Sequence, residues 1–345
     1  MIRVLIIDDS ALIRQLLTEI LQQAKDIVVV GCAQDPYEAR EMIKKHNPDV
    51  LTLDVEMPRM DGISFLKNLM RLRPMPVVMI STLTQKGSPI TLEALELGAV
   101  DFIAKPTVNV KQQMSQYADI VQQKVRVAAS ARVRGYKKTS AVAEPIPTNA
   151  EFLVNKVIAI GASTGGTEAI KEVLIRMPKN CPPIVITQHI PPVFSTSFAE
   201  RMQRTCTINV KEAQQGDKLV AGCAYIAPGG LHLRICKQGS ALHCQLDDGE
   251  TVNRHKPAVD VLFNSLLEIG AKHIVATLLT GMGSDGAKGL LALKQQGAYT
   301  LAQDEYSSVV WGMPKAAIDM GAANEVVPLE KMTQRLLNQV IKSKT

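Results

Sequence analysis

Short, almost continuously apolar runs recur along this chain, each ending in polar or glycine residues and separated by amphipathic stretches. A strand without a polar face is stable only when both faces are covered, so such runs predict parallel sheets flanked by helices. Five of them precede residue 107, at 4–7, 27–30, 50–53, 77–80 and 102–104. Between them Leu12, Leu16, Ile20 and Leu21 recur at helical spacing, as do Ile63, Leu66 and Leu69, and Met114, Tyr117, Val121 and Val125 form a further stripe. From about Ala128 to Ala150 the pattern dissolves into a basic, then Ala/Pro/Thr-rich stretch containing Pro145-Ile146-Pro147-Thr148, which reads as a linker. A second alternating region starts at Val154, with parallel strands expected at 157–160, 184–187, 274–279 and 299–302. Residues 208–246 carry short runs broken by Gly216-Asp217 and Pro228-Gly229-Gly230, with Asp247-Asp248-Gly249 closing them, and suggest an antiparallel patch. The expected organisation is a five-stranded parallel α/β domain over 1–123, a linker over 124–150, and a doubly wound, mainly parallel α/β domain over 151–345.

Charge narrows the function classes. Lys and Arg number 39 against 33 Asp and Glu, an excess of +6. Lys124, Arg126, Arg132, Arg134, Lys137 and Lys138 account for all of it, and read as a solvated linker and helix end, with docking to an acidic partner as the sharper alternative. With aromatic content at 4% there is little to stack on bases, so no nucleic-acid partner is expected. No run approaches the roughly 18 apolar residues of a membrane span. The acidic pair Asp8-Asp9 comes too early for a signal peptide, so a cytoplasmic location is expected. Six cysteines without a CxxC pair read as reduced thiols.

Asp8 and Asp9 follow the first predicted strand and Asp54 the third. Strand carboxyl ends share one sheet edge, so the three carboxylates should converge. Two carboxylates about 5 Å apart repel by about 3 kcal/mol at an effective dielectric near 20, and a hard cation such as Mg²⁺ would offset this. Ser81-Thr82 and Lys105-Pro106 end the fourth and fifth strands and add a hydroxyl and an ammonium. Together these groups suit phosphoryl transfer to an Asp; the plainer alternative is that the Asp residues cap helices.

At these residues the chain resembles the response-regulator receiver family, with its flavodoxin-like fold, over its first ~120 residues. The resemblance implies Asp54 as acceptor of a phosphoryl group from a chemotaxis histidine kinase. It implies Asp8, Asp9, Asp54 and the Glu56 backbone carbonyl around Mg²⁺, and Ser81, Phe102 and Lys105 as switch positions. Ser at 81 departs from the commoner Thr, and the family feature of a cis Lys105-Pro106 bond is expected.

In the second half, residues 157–166 run from a strand into Gly161-Ala162-Ser163-Thr164-Gly165-Gly166. The loop fits G-x-S-x-G, which exposes a serine on a tight turn. Taken alone it could equally cradle a phosphate, which leaves a receiver-controlled nucleotide-binding or regulatory module as an alternative. Ser163 needs a base, and His189 follows the 184–187 strand on the same edge. His46 belongs to the first domain, His232 and His243 to the antiparallel patch, His255 to a polar loop, and His273 precedes its strand. Asp285, in Thr280-Gly281-Met282-Gly283-Ser284-Asp285-Gly286, either orients the imidazole or caps the helix that follows, and Gly281 and Gly283 suit an oxyanion hole. The implied chemistry is acyl transfer with Ser163 as nucleophile, His189 as base and Asp285 as orienter. The order Ser, His, Asp departs from the ordinary α/β-hydrolase, in which the acid precedes the His.

The second half is similar to the catalytic domain of the chemotaxis methylesterase family. The stretches carrying this are 161–166, Gln188-His189-Ile190-Pro191, Ala227-Pro228-Gly229-Gly230, 257–263, 280–290 and 303–316. The resemblance implies Ser163, His189 and Asp285 as the triad and the Met282 backbone N–H in the oxyanion hole, with no cofactor for the esterase step. It implies glutamate γ-methyl esters on methyl-accepting chemotaxis receptors as substrate, and deamidation of specific receptor glutamines. Lys256 stands where many relatives carry Arg. A receiver joined to a hydrolase by about two dozen residues suggests control by occlusion, relieved when Asp54 is phosphorylated.

Overall fold

The computed structural model describes residues 1–81, 88–105, 114–133, 151–153 and 155–342, with Ser81 and Ser88 by backbone alone. The chain divides into two compact units, Met1–Thr139 and Ser140–Thr345.

The first unit alternates β1 (Ile2–Ile7), α1 (Ala11–Gln22), β2 (Ile27–Ala33), α2 (Pro36–His46), β3 (Val50–Asp54), α3 (Gly62–Leu72), β4 (Val77–Ser81), α4 (Ser88–Glu96), β5 (Asp101–Ala104) and α5 (Met114–Ser130). The strands pair in parallel in the order β2-β1-β3-β4-β5. Every residue of β3 is buried, as expected of a strand covered on both faces. Helix starts follow local chemistry: Asp35 Oδ1 accepts from the Tyr37 and Glu38 N–H groups at 2.8 and 2.9 Å, and Asp61 accepts from Ser64 N–H at 2.7 Å. Ser10 caps α1, accepting from the Ile13 N–H at 3.5 Å, while Asp8 Oδ1 accepts from the Ser10 N–H at 2.9 Å. The sheet order reverses at β1, which opens a crevice at the carboxyl ends of β1 and β3.

Helix α5 runs on past position 123 to Ser130, with Val125, Val127 and Ala128 buried. The apolar stripe that begins at Met114 keeps its helical period that far. Two of the basic residues assigned to a linker therefore sit on this helix. Lys124 pairs with Asp101 at 2.6 Å, and Arg126 with Asp26 at 2.7 Å.

The second unit contains β6 (Val157–Ala162), α6 (Gly166–Leu174), β7 (Ile184–Gln188), α7 (Pro192–Thr205), β8 (Asn209–Glu212), β9 (Cys223–Ile226), β10 (His232–Gln238), β11 (Ala241–Asp247), α8 (Val259–Leu267), β12 (Ile274–Leu278), α9 (Ala287–Gln295), β13 (Tyr299–Gln303), α10 (Met313–Asp319), β14 (Glu325–Val327) and α11 (Leu329–Asn338). Its main sheet is parallel in the order β14-β13-β12-β6-β7-β9-β8. The antiparallel patch is smaller than the sequence suggests. Among the described strands β10 and β11 are the pair that runs antiparallel, whereas β8 and β9 join the main sheet, and all of β9 is buried like a covered strand. The three-residue β14 escaped notice because a run that short has no legible period. Strand order reverses at β6, with β12 on one side and β7 on the other.

Candidate active site

Ser163 follows β6, His189 follows β7, and Asp285 lies in the loop after β12, so three adjacent strands deliver the three side chains to one edge. His189 Nδ1 lies 3.1 Å from Ser163 Oγ, and Nε2 lies 2.8 Å from Asp285 Oδ2. This assignment of nitrogens is the reverse of the chymotrypsin arrangement, in which Nε2 faces the serine. Strand adjacency explains it. The His189 N–H donates to Ala162 O at 3.1 Å, so the ring nitrogen nearer the backbone meets the serine, and the far one reaches across β6 to the acid. The pattern requires the Nε2–H tautomer, with the Nδ1 lone pair toward the hydroxyl.

Asp285 is buried and fully engaged. Its Oδ2 accepts from His189 Nε2 and from Val259 N–H at 2.7 Å, and its Oδ1 from Asn253 Nδ2 at 2.7 Å and Asp260 N–H at 3.2 Å. Burial alone would raise this carboxyl, but the hydrogen bonds from His189, Asn253 and Val259 outweigh it and hold the group down at about 2. Asp285 does not cap the helix that follows it. That helix, α9, begins after Gly286 and has its Gly289 N–H held by Asp260 Oδ1 at 2.7 Å, whereas the two N–H groups held by Asp285 are the first two of α8. A helix N-terminus favours a negative charge, so the acid and α8 stabilise one another.

Glycines set the approach of the loops. Gly165 has φ +75°, which lets the chain turn from Ser163 into α6. A Cβ on Gly281 would lie 2.7 Å from Ser163 Cβ and 2.4 Å from Met313 Sδ, so the 280–286 loop can only sit against the serine with glycine there. Met282 follows Gly281 directly in that loop. Gln188 Nε2 donates to Ser163 O at 2.8 Å and to His189 O at 3.1 Å, fastening the two turns together.

Residues that sequence reasoning missed surround the relay. The His255 ring is stacked on His189, with centroids 3.6 Å apart and planes at 11°, although its polar loop gave no sign of this. Asn253 bridges Asp285 and Asp260. The only available signal for either was the polar Asn253-Arg254 pair, a composition common to any turn. Lys256 Nζ lies 2.8 Å from Asp248 Oδ1, turned to the loop before it.

The first unit gathers its own polar cluster. Carboxylate oxygens of Asp8, Asp9 and Asp54 lie within 4.8 Å of one another. Asp8 and Asp54 are buried, and Lys105 Nζ lies 3.2 Å from Asp8 Oδ2 and 2.7 Å from Asp54 Oδ2. Burial pushes the Asp54 carboxyl up; Lys105 opposes this, the Asp8 charge adds to it, and the group reaches about 6. An all-oxygen, acidic donor set in which charge is crowded fits a hard divalent ion such as Mg²⁺. Glu56 N–H donates to Asp54 Oδ1 at 3.4 Å, and Glu56 lines a cleft of about 770 Å³ with Asp9, Met57 and Ile90. Ser81 pairs in register with Ala104, next to Lys105, and Phe102 is buried with Lys124 Nζ 5.4 Å from its ring centroid. The expected cis Lys105-Pro106 bond and Thr82 lie outside the described residues. Cys181, Cys223 and Cys244 are buried, and burial pushes the Cys181 and Cys244 thiols up to about 12.

A family model described as CheB methylesterase matches residues 158–336, and one described as response regulator receiver domain matches 4–116. A Photorhabdus laumondii protein named protein-glutamate methylesterase/protein-glutamine glutaminase is 55% identical over 339 residues, covering 98% of this chain and 97% of its own. One of the same name from Salmonella typhimurium is 52% identical over 341 residues, with 98% and 97% covered. The solved catalytic domain of a Thermotoga maritima CheB methylesterase is similar to 54% of this chain and 99% of that one, at 39% identity and a TM-score of 0.53.

Proposed function

Since the chain belongs to the CheB methylesterase family and carries a response regulator receiver domain, we propose that Ser163, His189 and Asp285 perform its hydrolysis and that Asp54 controls it. Enzymatic class follows from membership: a protein-glutamate methylesterase and protein-glutamine glutaminase. The observation that carries the mechanism is the unbroken relay of 3.1 and 2.8 Å from Ser163 through His189 to Asp285. His189 Nδ1 takes the Ser163 proton as Oγ attacks the γ-carbonyl carbon of the side chain. Asp285, ionised at any working pH, stabilises the imidazolium through Nε2–H. The Met282 N–H, next in the chain to Gly281, donates to the developing oxyanion, a contribution typically worth about 3–4 kcal/mol. His189 returns the proton to the leaving group, methanol from an ester or ammonia from an amide. Water, deprotonated by the same nitrogen, then releases the glutamate and restores Ser163.

In the receiver, Asp54 accepts a phosphoryl group from the histidine of a chemotaxis kinase, and Lys105 supplies counter-charge to the oxygens. Asp8, Asp9, Asp54 and the Glu56 carbonyl would hold Mg²⁺, which neutralises charge on the transferring group. Ser81 and Phe102 are the switch positions, and phosphorylation raises the esterase activity. The substrates are methyl-accepting chemotaxis receptors, met in the cytoplasm; among the described residues no helix is long and apolar enough to cross a membrane. A nucleotide-cradling role for 161–166 is disfavoured, because the Ser163 and Gly166 N–H groups are taken by Thr280 O at 3.0 Å and Ser163 O at 2.7 Å.

Methanol release from methylated receptor membranes tests this reading. Ser163→Ala should abolish release, and Asp54→Asn should keep basal release but lose stimulation by a small phosphodonor. Release by Ser163→Ala, or equal stimulation of Asp54→Asn, would overturn the corresponding half.

A further inference from the structure

Val252 and His255 exchange two backbone hydrogen bonds, Val252 N–H to His255 O at 3.1 Å and His255 N–H to Val252 O at 2.9 Å. The two residues between them, Asn253 and Arg254, have φ of +53° and +68°. Two left-handed residues in a two-residue loop make a type I′ turn, for which Asn suits the first position. An arginine at the second is uncommon, and backbone strain of this kind persists where the surroundings enforce it, often at active sites.

The turn presents one side chain to each of two relay partners. The Asn253 amide donates to Asp285 Oδ1 at 2.7 Å and to Asp260 Oδ2 at 2.8 Å, placing a donor between carboxylates that would otherwise repel. The His255 ring covers a face of His189, whose edges already meet Ser163 and Asp285. Rotation about the His189 Cβ–Cγ bond tilts both ring nitrogens, the two hydrogen bonds tolerate modest tilts because their angles are soft, and a flat neighbour at van der Waals distance narrows that range.

We propose that the 252–255 turn is a positioning clip for the relay, with His255 fixing the plane of His189 and Asn253 fixing the orientation of Asp285. The inference rests on the Ser163–His189–Asp285 mechanism. It assigns both residues a role through His189 and Asp285, with no proton passing through either: the stack keeps the Nδ1 lone pair directed at Ser163 Oγ as the proton moves.

The test uses the full chain, Ser163 labelling by a fluorophosphonate, methanol release from methylated receptor membranes, and the melting temperature. His255→Ala should lower kcat and the labelling rate about 3- to 10-fold while KM stays unchanged. His255→Phe keeps a flat ring without either nitrogen, and should recover most of that loss. Asn253→Gly suits the left-handed backbone but removes the amide, and should also lower kcat with KM unchanged. Wild-type kcat in His255→Ala, an effect confined to KM, or His255→Phe as slow as His255→Ala at an unchanged melting temperature would each overturn the clip. If His255→Ala melts early, His255→Phe and Asn253→Gly decide the matter: Phe near the wild-type rate with Gly slowed supports the clip, and any other pairing overturns it. No label on Ser163 of the unaltered chain would overturn the mechanism itself, and the clip with it.

Discussion

A single buried carboxyl, Asp54, makes receiver stability depend on pH. Its folded value of about 6 lies above the ordinary 3.8, so the folded state prefers the protonated form. That contribution is fully present below about pH 3.8 and is lost as pH rises through about 6. In EDTA, Asp54→Asn should therefore stabilise the receiver at pH 8 by up to about 3 kcal/mol, a difference that closes by about pH 4, as urea unfolding at both values would measure. Restoring Mg²⁺ at pH 8 should raise the melting temperature of the wild type well above its EDTA value, and that of Asp54→Asn much less. Asp8, Asp9, Asp54 and Lys105 were legible because each ends a strand in a sheet whose carboxyl ends share an edge. Ser163, His189 and Asp285 were legible for the same reason. His255 and Asn253 were not, because a type I′ turn and a ring stack place them, and neither leaves a period in the sequence.

Among the elements, α8 depends on a residue outside itself. Its first two N–H groups are held by Asp285, and its own cap position, Ala258, offers no side-chain acceptor. Asp285→Ala should thus lower both activity and stability, the latter by about 1–2 kcal/mol or about 2–8 °C in melting temperature. Ser163→Ala should abolish activity and leave the melting curve in place. Gly281→Ala tests the neighbouring loop: its Cβ would fall 2.7 Å from Ser163 Cβ, so fluorophosphonate labelling should slow by at least about tenfold, with about 1–3 kcal/mol of destabilisation from the overpacked contact. Element type was readable wherever apolar runs exceeded three residues. The placement of β8 and β9 was not, because short runs between turns fit a hairpin or a sheet edge equally well, and pairing partners are set by tertiary packing.

At the scale of the whole molecule, two parallel sheets each reverse their strand order at the point where the reactive groups gather, β1 with β3 in one and β6 with β12 and β7 in the other. Asp8, Asp9 and Asp54 all belong to the first unit, and Ser163, His189 and Asp285 all belong to the second. Asp54→Asn should accordingly label at Ser163 no slower than the unphosphorylated wild type, and Ser163→Ala should take up phosphate on Asp54 at the wild-type rate. Both are readable by mass spectrometry of the intact chain. The relay itself draws on residues 26 and 96 positions apart. During synthesis, units fold as they emerge, the first one first. On the proposed roles, a growing polypeptide on the ribosome would thus be able to carry phosphate while the strand that precedes Asp285 was still untranslated, a receiver ready before any hydrolase has formed.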